Sequence, residues 1–138
     1  MGAANDKYSE FHVKTSSRTQ LINITSEVRK AVRAAGIEDG VCIVYIPHTT
    51  AGVMINEAAD PSVARDIAAL LDKLIPLRDN YTHAEGNSAA HIKSSLVGTS
   101  CQIPIARSDL ALGTWQGVFF CEFDGPRQRS VRISLVKS

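Results

Sequence analysis

Residues 112–136 read LGTWQGVFFCEFDGPRQRSVRISLV. Two long segments, 112–123 and 129–136, are rich in aromatic and β-branched residues, and the second alternates apolar with polar positions. They predict two strands. The joint between them, Asp124-Gly125-Pro126-Arg127, has the residue types of a hairpin turn. A further alternating segment, 8–15, opens the chain. Long strands at both ends, with helical patterns between, predict an antiparallel sheet with helices packed on it, an α+β architecture rather than a doubly wound parallel one.

Between these ends the punctuation is clear. A strand over 20–24 leads into a helix that Thr25 caps and that runs to about Ala35, with Val28, Ala31, Val32 and Ala35 on one face and Gly36 ending it. The almost wholly apolar run 41–46, VCIVYI, reads as a buried strand, and 52–56 as another. Asp60-Pro61 is a strong helix start, followed by Val63, Ile67, Leu70, Leu71 and Leu74 as the apolar face up to Pro76. After a polar loop at 78–86, Asn87 or Ser88 caps a shorter helix that ends at Gly98. Residues 99–106 suit a strand.

The chain has 138 residues, 44% hydrophobic and 21% charged, which fits one domain over 1–138 with a core of its own. A net charge of +1 gives no ground for general attraction to nucleic acid or membrane. The start MGAANDKYSEF has neither an apolar leader core nor the Ser or Thr of a myristoylation signal, and no stretch is apolar for long enough to span a bilayer. A cytoplasmic location is expected. Cys42, Cys101 and Cys121 form no C-x-x-C pair and lie in apolar runs, so they read as buried strand residues.

The polar chemistry concentrates in RDNYTHAEGNSAAHIKSS, at 78–95. His83, Asn87 and His91 recur every four residues, and Gly86-Asn87 puts His83 in a loop with His91 one turn into the helix. Both imidazoles can then meet near a helix N-terminus, which favours a phosphate or pyrophosphate. His48 stands in PHTTAG at the end of a buried strand, with the hydroxyls of Thr49 and Thr50 beside it and Glu57 further on. A third imidazole and a carboxylate would complete a metal centre with an open position. Against this, the spacing is not H-E-x-x-H, and each histidine alone reads as an ordinary core or surface residue. His12, in an alternating strand, has no assigned role. Trp115 reads either as a core or interface aromatic or as a wall for a flat substrate, with Gln116 reading the substrate's edge. The turn that holds Arg127 can bind an anionic group.

Taken together, PHTTAG with Asn56-Glu57, Asn80-Tyr-x-His83 with Gly86-Asn87-x-x-Ala-His91-Ile-Lys93, and Leu112-Gly-Thr-Trp-Gln116 with Glu122 and Asp124-Gly-Pro-Arg127 resemble the three motifs of the YjbQ-like family, in order and over nearly the whole chain. The resemblance implies an antiparallel β-sandwich with helices packed on it. It implies a homotrimer whose motif residues line a cleft at or near a subunit interface, and a divalent metal, zinc or magnesium, held by His48, His83 and His91. It further implies a secondary thiamine-phosphate synthase activity: a transferase joining hydroxymethylpyrimidine diphosphate to thiazole phosphate. In that reaction His83, His91, Asn87 and Glu57 would be catalytic, and Thr49, Thr50, Lys93, Trp115, Gln116 and Arg127 would bind substrate. The alternatives are a metal-dependent hydrolase or phosphatase of a small phosphorylated metabolite, and a non-enzymatic trimeric metabolite-binding protein.

Overall fold

A computed structural model describes residues 7–138 of the chain. Most of the segment scanned for leader and lipidation signals, 1–6, lies outside the described residues. The elements run β1 (Ser9–Lys14), β2 (Gln20–Asn23), α1 (Thr25–Ala35), β3 (Gly40–Tyr45), β4 (Ala51–Glu57), α2 (Pro61–Leu74), α3 (Ser88–Val97), β5 (Ser100–Ala106), β6 (Asp109–Leu110), β7 (Gln116–Glu122) and β8 (Gln128–Lys137). The strands form two antiparallel sheets, a larger one in the order β1-β8-β3-β5-β6 and a smaller one in the order β2-β7-β4. This is the expected α+β sandwich with helices packed on it.

The hairpin expected at 124–127 is not formed. β7 lies in the middle of the small sheet, while β8 lies between β1 and β3 in the large one. The physical reason is the core. Val118 and Phe120 of β7, and Val131 and Ile133 of β8, are all buried in one apolar cluster. Facing one another across that cluster satisfies both strands, so the turn crosses between layers instead of pairing its flanks. Val44 and Val53 join the same cluster, and Val28 and Val32 of α1 close it.

A second, smaller cluster sits on the other face of the small sheet. There Ala90 of α3 packs with Cys121 and Phe123, against Leu21, Met54 and Leu71. Gly52 sets how close α3 comes: a Cβ at that position would lie 2.6 Å from the carbonyl oxygen of Gly98. α2 starts as its sequence dictates, with Asp60 Oδ1 accepting the Ser62 N–H at 2.9 Å. Its apolar face is less buried than the pattern implies, since Leu71 packs inward while Leu70 and Leu74 are exposed. Thr25 is the first residue of α1 rather than its cap. Its hydroxyl donates to Asn23 Oδ1 at 2.6 Å and accepts the Val118 N–H at 2.9 Å, fastening the helix start to β7.

Candidate functional site

The turns at one end of the sandwich gather most of the polar groups singled out in the sequence. Glu122, fully buried on β7, is paired with Arg129 of β8 through Oε2–Nη2 and through Oε1–Nε at 2.8 Å. Thr15 donates to the same Glu122 Oε1 at 2.8 Å. Arg129 Nη2 also reaches the Thr50 hydroxyl at 2.9 Å and the Thr50 carbonyl at 3.2 Å. The buried pair therefore joins the two sheets and fixes the 47–50 loop. These contacts, with Asp124 N–H, hold the Glu122 carboxyl below its ordinary range against the opposing effect of burial, which is the largest single influence on it. Thr50 is thus buried and committed to structure, whereas Thr49 faces solvent.

His48 follows from that loop. The β3–β8 ladder ends at Tyr45 and Arg132, and two residues further along β8 the Ser130 N–H donates to His48 Nε2 at 2.9 Å. Burial and then the nearby Arg129 charge push the His48 pKa down. A neutral imidazole that accepts through Nε2 carries its proton on Nδ1 and has no lone pair left for a metal. Among the described residues, no three His, Cys, Asp or Glu side chains converge to hold a metal ion. The expected centre of His48, His83 and His91 therefore does not close within the chain, because His48 is spent on β8.

His83 and His91 do meet. His83 lies in the loop before α3 and His91 one turn into the helix, and their rings stand edge to face with centres 5.4 Å apart. His83 Nε2 is 3.3 Å from Glu85 Oε1. The two histidines line a groove of about 440 Å³ with Asn80, Tyr81, Thr82, Ser88 and Ile92. His91 also borders a neighbouring groove of about 470 Å³ with His48 and Thr49. Ser88, the first residue of α3, lines this groove, and no side chain caps the helix. Asn87 instead donates through Nδ2 to Asp124 Oδ2 at 3.0 Å, so the leading N–H groups of the helix have no side-chain partner.

The other residues fall elsewhere. Lys93 is buried on a different face of α3, where its ammonium bonds Asp72. Arg127 is spent on Asp124, reaching its carbonyl at 2.8 Å and its carboxylate at 3.1 Å. Asn87 and Arg127 hold the Asp124 carboxyl below its usual range, again against burial, the largest influence. Glu57 closes the turn into α2, accepting the Ala59 N–H at 2.9 Å. It pairs with Gln116 at the far end of β4 and β7, with exposed Trp115 beside it, whereas Ala51 pairs with Glu122 at the histidine end. Six residues of strand separate the two ends, about 20 Å. In the sequence, Glu122 and Asp124 stand out only as motif and turn residues, with Arg129 just beyond the turn. Their part in fixing the loops depends on pairing across layers, which no local pattern carries.

Two antiparallel sheets with three helices packed on them define an α+β sandwich, with a paired-imidazole groove beside the start of α3. The comparisons give it a family. Residues 9–138 match the family described as UPF0047 protein YjbQ-like, and the chain belongs to it. It is 50% identical over 127 residues to the UPF0047 protein MJ1081 of Methanocaldococcus jannaschii, covering 92% of each chain. It is 46% identical to the UPF0047 protein YugU of Bacillus subtilis, covering 90% of this chain and 95% of that one. Among solved structures, a YjbQ/UPF0047 protein of Clostridium acetobutylicum superposes with a TM-score of 0.91 at 54% identity, over 93% of this chain and 99% of that one. A Sulfolobus solfataricus protein superposes with a TM-score of 0.91 at 27% identity, over 95% and 96%.

These relatives overturn the expected activity. The first two are designated only as UPF0047 proteins, and the Sulfolobus protein is described as a YbjQ-like protein of unknown function. The thiamine-phosphate synthase and transferase expectations are withdrawn, while the family assignment stands. The geometry agrees, because within one chain the Trp115, Gln116 and Glu57 set expected at that substrate lies at the opposite end of the strands from His83 and His91.

Proposed function

We propose that the protein is a metabolite-binding protein that takes a small phosphorylated ligand in the groove of His83 and His91. One observation carries this reading: the uncapped start of α3 opens beside two imidazoles in edge-to-face contact. Free helix N–H groups and a helix dipole favour an anion, and the imidazoles add donors for its oxygens. The test is calorimetric titration with inorganic phosphate and pyrophosphate, using the intact protein and a His83→Ala/His91→Ala double variant. Saturable binding weakened about tenfold or more in the variant is expected, since charge-assisted hydrogen bonds are lost. Equal affinity in both proteins removes the groove from the reading.

A second reading is a hydrolase of a small phosphorylated metabolite with a divalent metal on His83 and His91. The approach of their rings to 5.4 Å favours it, and imidazole donors suit zinc better than magnesium. Such an ion would activate water for attack on phosphorus. Metal analysis of the purified protein, with phosphate release from a general phosphomonoester, separates this reading from simple binding.

Self-association as a homotrimer is part of the proposal. Tyr45 and Val136, on the large sheet, are exposed apolar side chains. Assembly is also the route by which the Glu57 end of a neighbouring copy could reach a histidine groove. Light scattering that gives a monomer mass overturns it. No helix among the described residues is long and apolar enough to cross a membrane. A cytoplasmic, reducing setting fits the three free thiols.

A further inference from the structure

α3 divides two polar cavities. Ser88, His91 and Ile92 face the histidine groove, whereas Asn87 and Lys93 line a separate cavity of about 260 Å³ with Arg18, Asp72, Leu77 and Phe123. At 3.6 residues per turn, positions 88, 91 and 92 lie on a different side of the helix from 90 and 93. The second cavity is the more enclosed of the two.

Its chemistry is set by Lys93, whose side chain is only 6% exposed. The Lys93 ammonium is bonded to Asp72 Oδ1 and lies 5.9 Å from the centre of the Phe123 ring. An ammonium carries three N–H donors. Among the described residues, Asp72 is the one hydrogen-bond acceptor that Lys93 has, so further donors on this buried ammonium have no protein acceptor. Unpaired buried donors are costly, and a bound acceptor relieves them.

Arg18 adds a guanidinium at the rim. Its nearest carboxylate is Asp124, 3.8 Å away and already bonded to Asn87 and Arg127. Among the lining residues Arg18 and Lys93 stand against Asp72 and Asp124, and Asp124 is already committed to Asn87 and to Arg127 outside the cavity, so Arg18 is only loosely paired. Phe123 and Leu77 supply an apolar wall.

We infer that this cavity is a second binding site, for a small organic anion. Its carboxylate or phosphate head sits between the Lys93 ammonium and the Arg18 fork, and its apolar or ring body lies against Phe123 and Leu77. Arg18 suits either head because a guanidinium meets both in a bidentate manner, and Lys93 acts as a compact point charge. The inference uses neither imidazole and stands apart from the histidine-groove reading.

The test is a titration of the full chain followed by NMR at Ala90 and Phe123, with the His83 and His91 rings as monitors of the other groove. The probes share one ring and differ in head group: benzoate, phenyl phosphate, benzyl alcohol and benzylamine. Saturable shifts at Ala90 and Phe123 with benzoate or phenyl phosphate are expected, and the tighter of the two identifies the head. Arg18→Gln, at an exposed position, should weaken that binding about tenfold or more while the fold persists. Lys93→Met should do the same, and His91→Ala should leave it unchanged. The inference is overturned if neither anion saturates at millimolar concentration, or if benzyl alcohol or benzylamine binds as well. It is equally overturned if folded Arg18→Gln keeps wild-type affinity, or if His91→Ala alone abolishes the shifts. Loss of phosphate binding at the histidines leaves it untouched.

Discussion

His48 Nε2 accepts the backbone N–H of Ser130 at 2.9 Å, taking over from the β3–β8 ladder two residues past its last pair. An imidazole therefore serves as a strand partner, and it does so only while neutral.

That dependence has a pH signature. Burial first and the Arg129 charge second lower the His48 pKa from its ordinary 6.5, with Glu122 opposing. The unfolded chain then binds the proton more readily than the fold does. The contribution is fully present above pH 6.5 and is lost as pH falls below that value toward the lowered folded pKa. The urea unfolding free energy should decline over that interval, before the Glu122 and Asp124 carboxyls titrate. His48→Gln, whose side-chain carbonyl can still accept the Ser130 N–H, should flatten the decline. Identical pH slopes for the two proteins would refute the role given to His48.

The thiols should be inert in the native state. Burial pushes Cys42 and Cys121 up to about 12 and Cys101 up to about 11. A thiolate is the reactive form, so at pH 8 all three sites are almost wholly protonated. Alkylation by iodoacetamide should be slow in the folded protein and complete after denaturation in urea. Rapid modification of native Cys42 or Cys121 would contradict their burial.

Much of this was legible in the sequence. Gly36 ends α1 in the left-handed conformation, Asp60 caps α2, and the meeting of His83 with His91 follows from Gly86-Asn87 marking the helix start. These are local signals, carried within a few residues. The layer crossing at 124–127 was not legible, because turn chemistry alone does not say whether the flanking strands pair or face each other. Nor was the hydrogen bond that engages His48, which depends on an amide 82 residues away. Helical periodicity places Lys93 off the His91 face, but its partner Asp72 lies on another helix, which no local pattern carries.

Gly52 tests how tightly the histidine groove is held. A methyl group there would meet the Gly98 carbonyl oxygen at 2.6 Å, and backbone cannot swing aside as a side chain can. Gly52→Ala should therefore push α3 off β4 and destabilise the fold by about 1–3 kcal/mol, the usual cost of overpacking. Because α3 carries His91, the same variant should shift the His83 and His91 ring resonances. A loss below about 0.5 kcal/mol, within the range of indifferent surface changes, would show that α3 is not set by this contact.

The Glu122–Arg129 pair gives the sharpest stability test. The two side chains are 0% and 5% exposed, so each charge has given up water for the other and for Thr15 and Thr50. Removing one partner strands the other in the core. Arg129→Met should cost about 3–5 kcal/mol by chemical denaturation, because Glu122 keeps its charge without its counter-ion or must take up a proton. Adding Glu122→Leu to Arg129→Met should recover a substantial part, since an apolar pair of similar volume is tolerated where a lone buried charge is not. The double variant should still lose the hold on Thr50, and with it the His48–Ser130 contact, so its His48 ring signal should differ from wild type even where stability returns. A double variant no more stable than Arg129→Met alone would mean that the pair acts chiefly as a clamp on the 47–50 loop, rather than as two charges that neutralise each other.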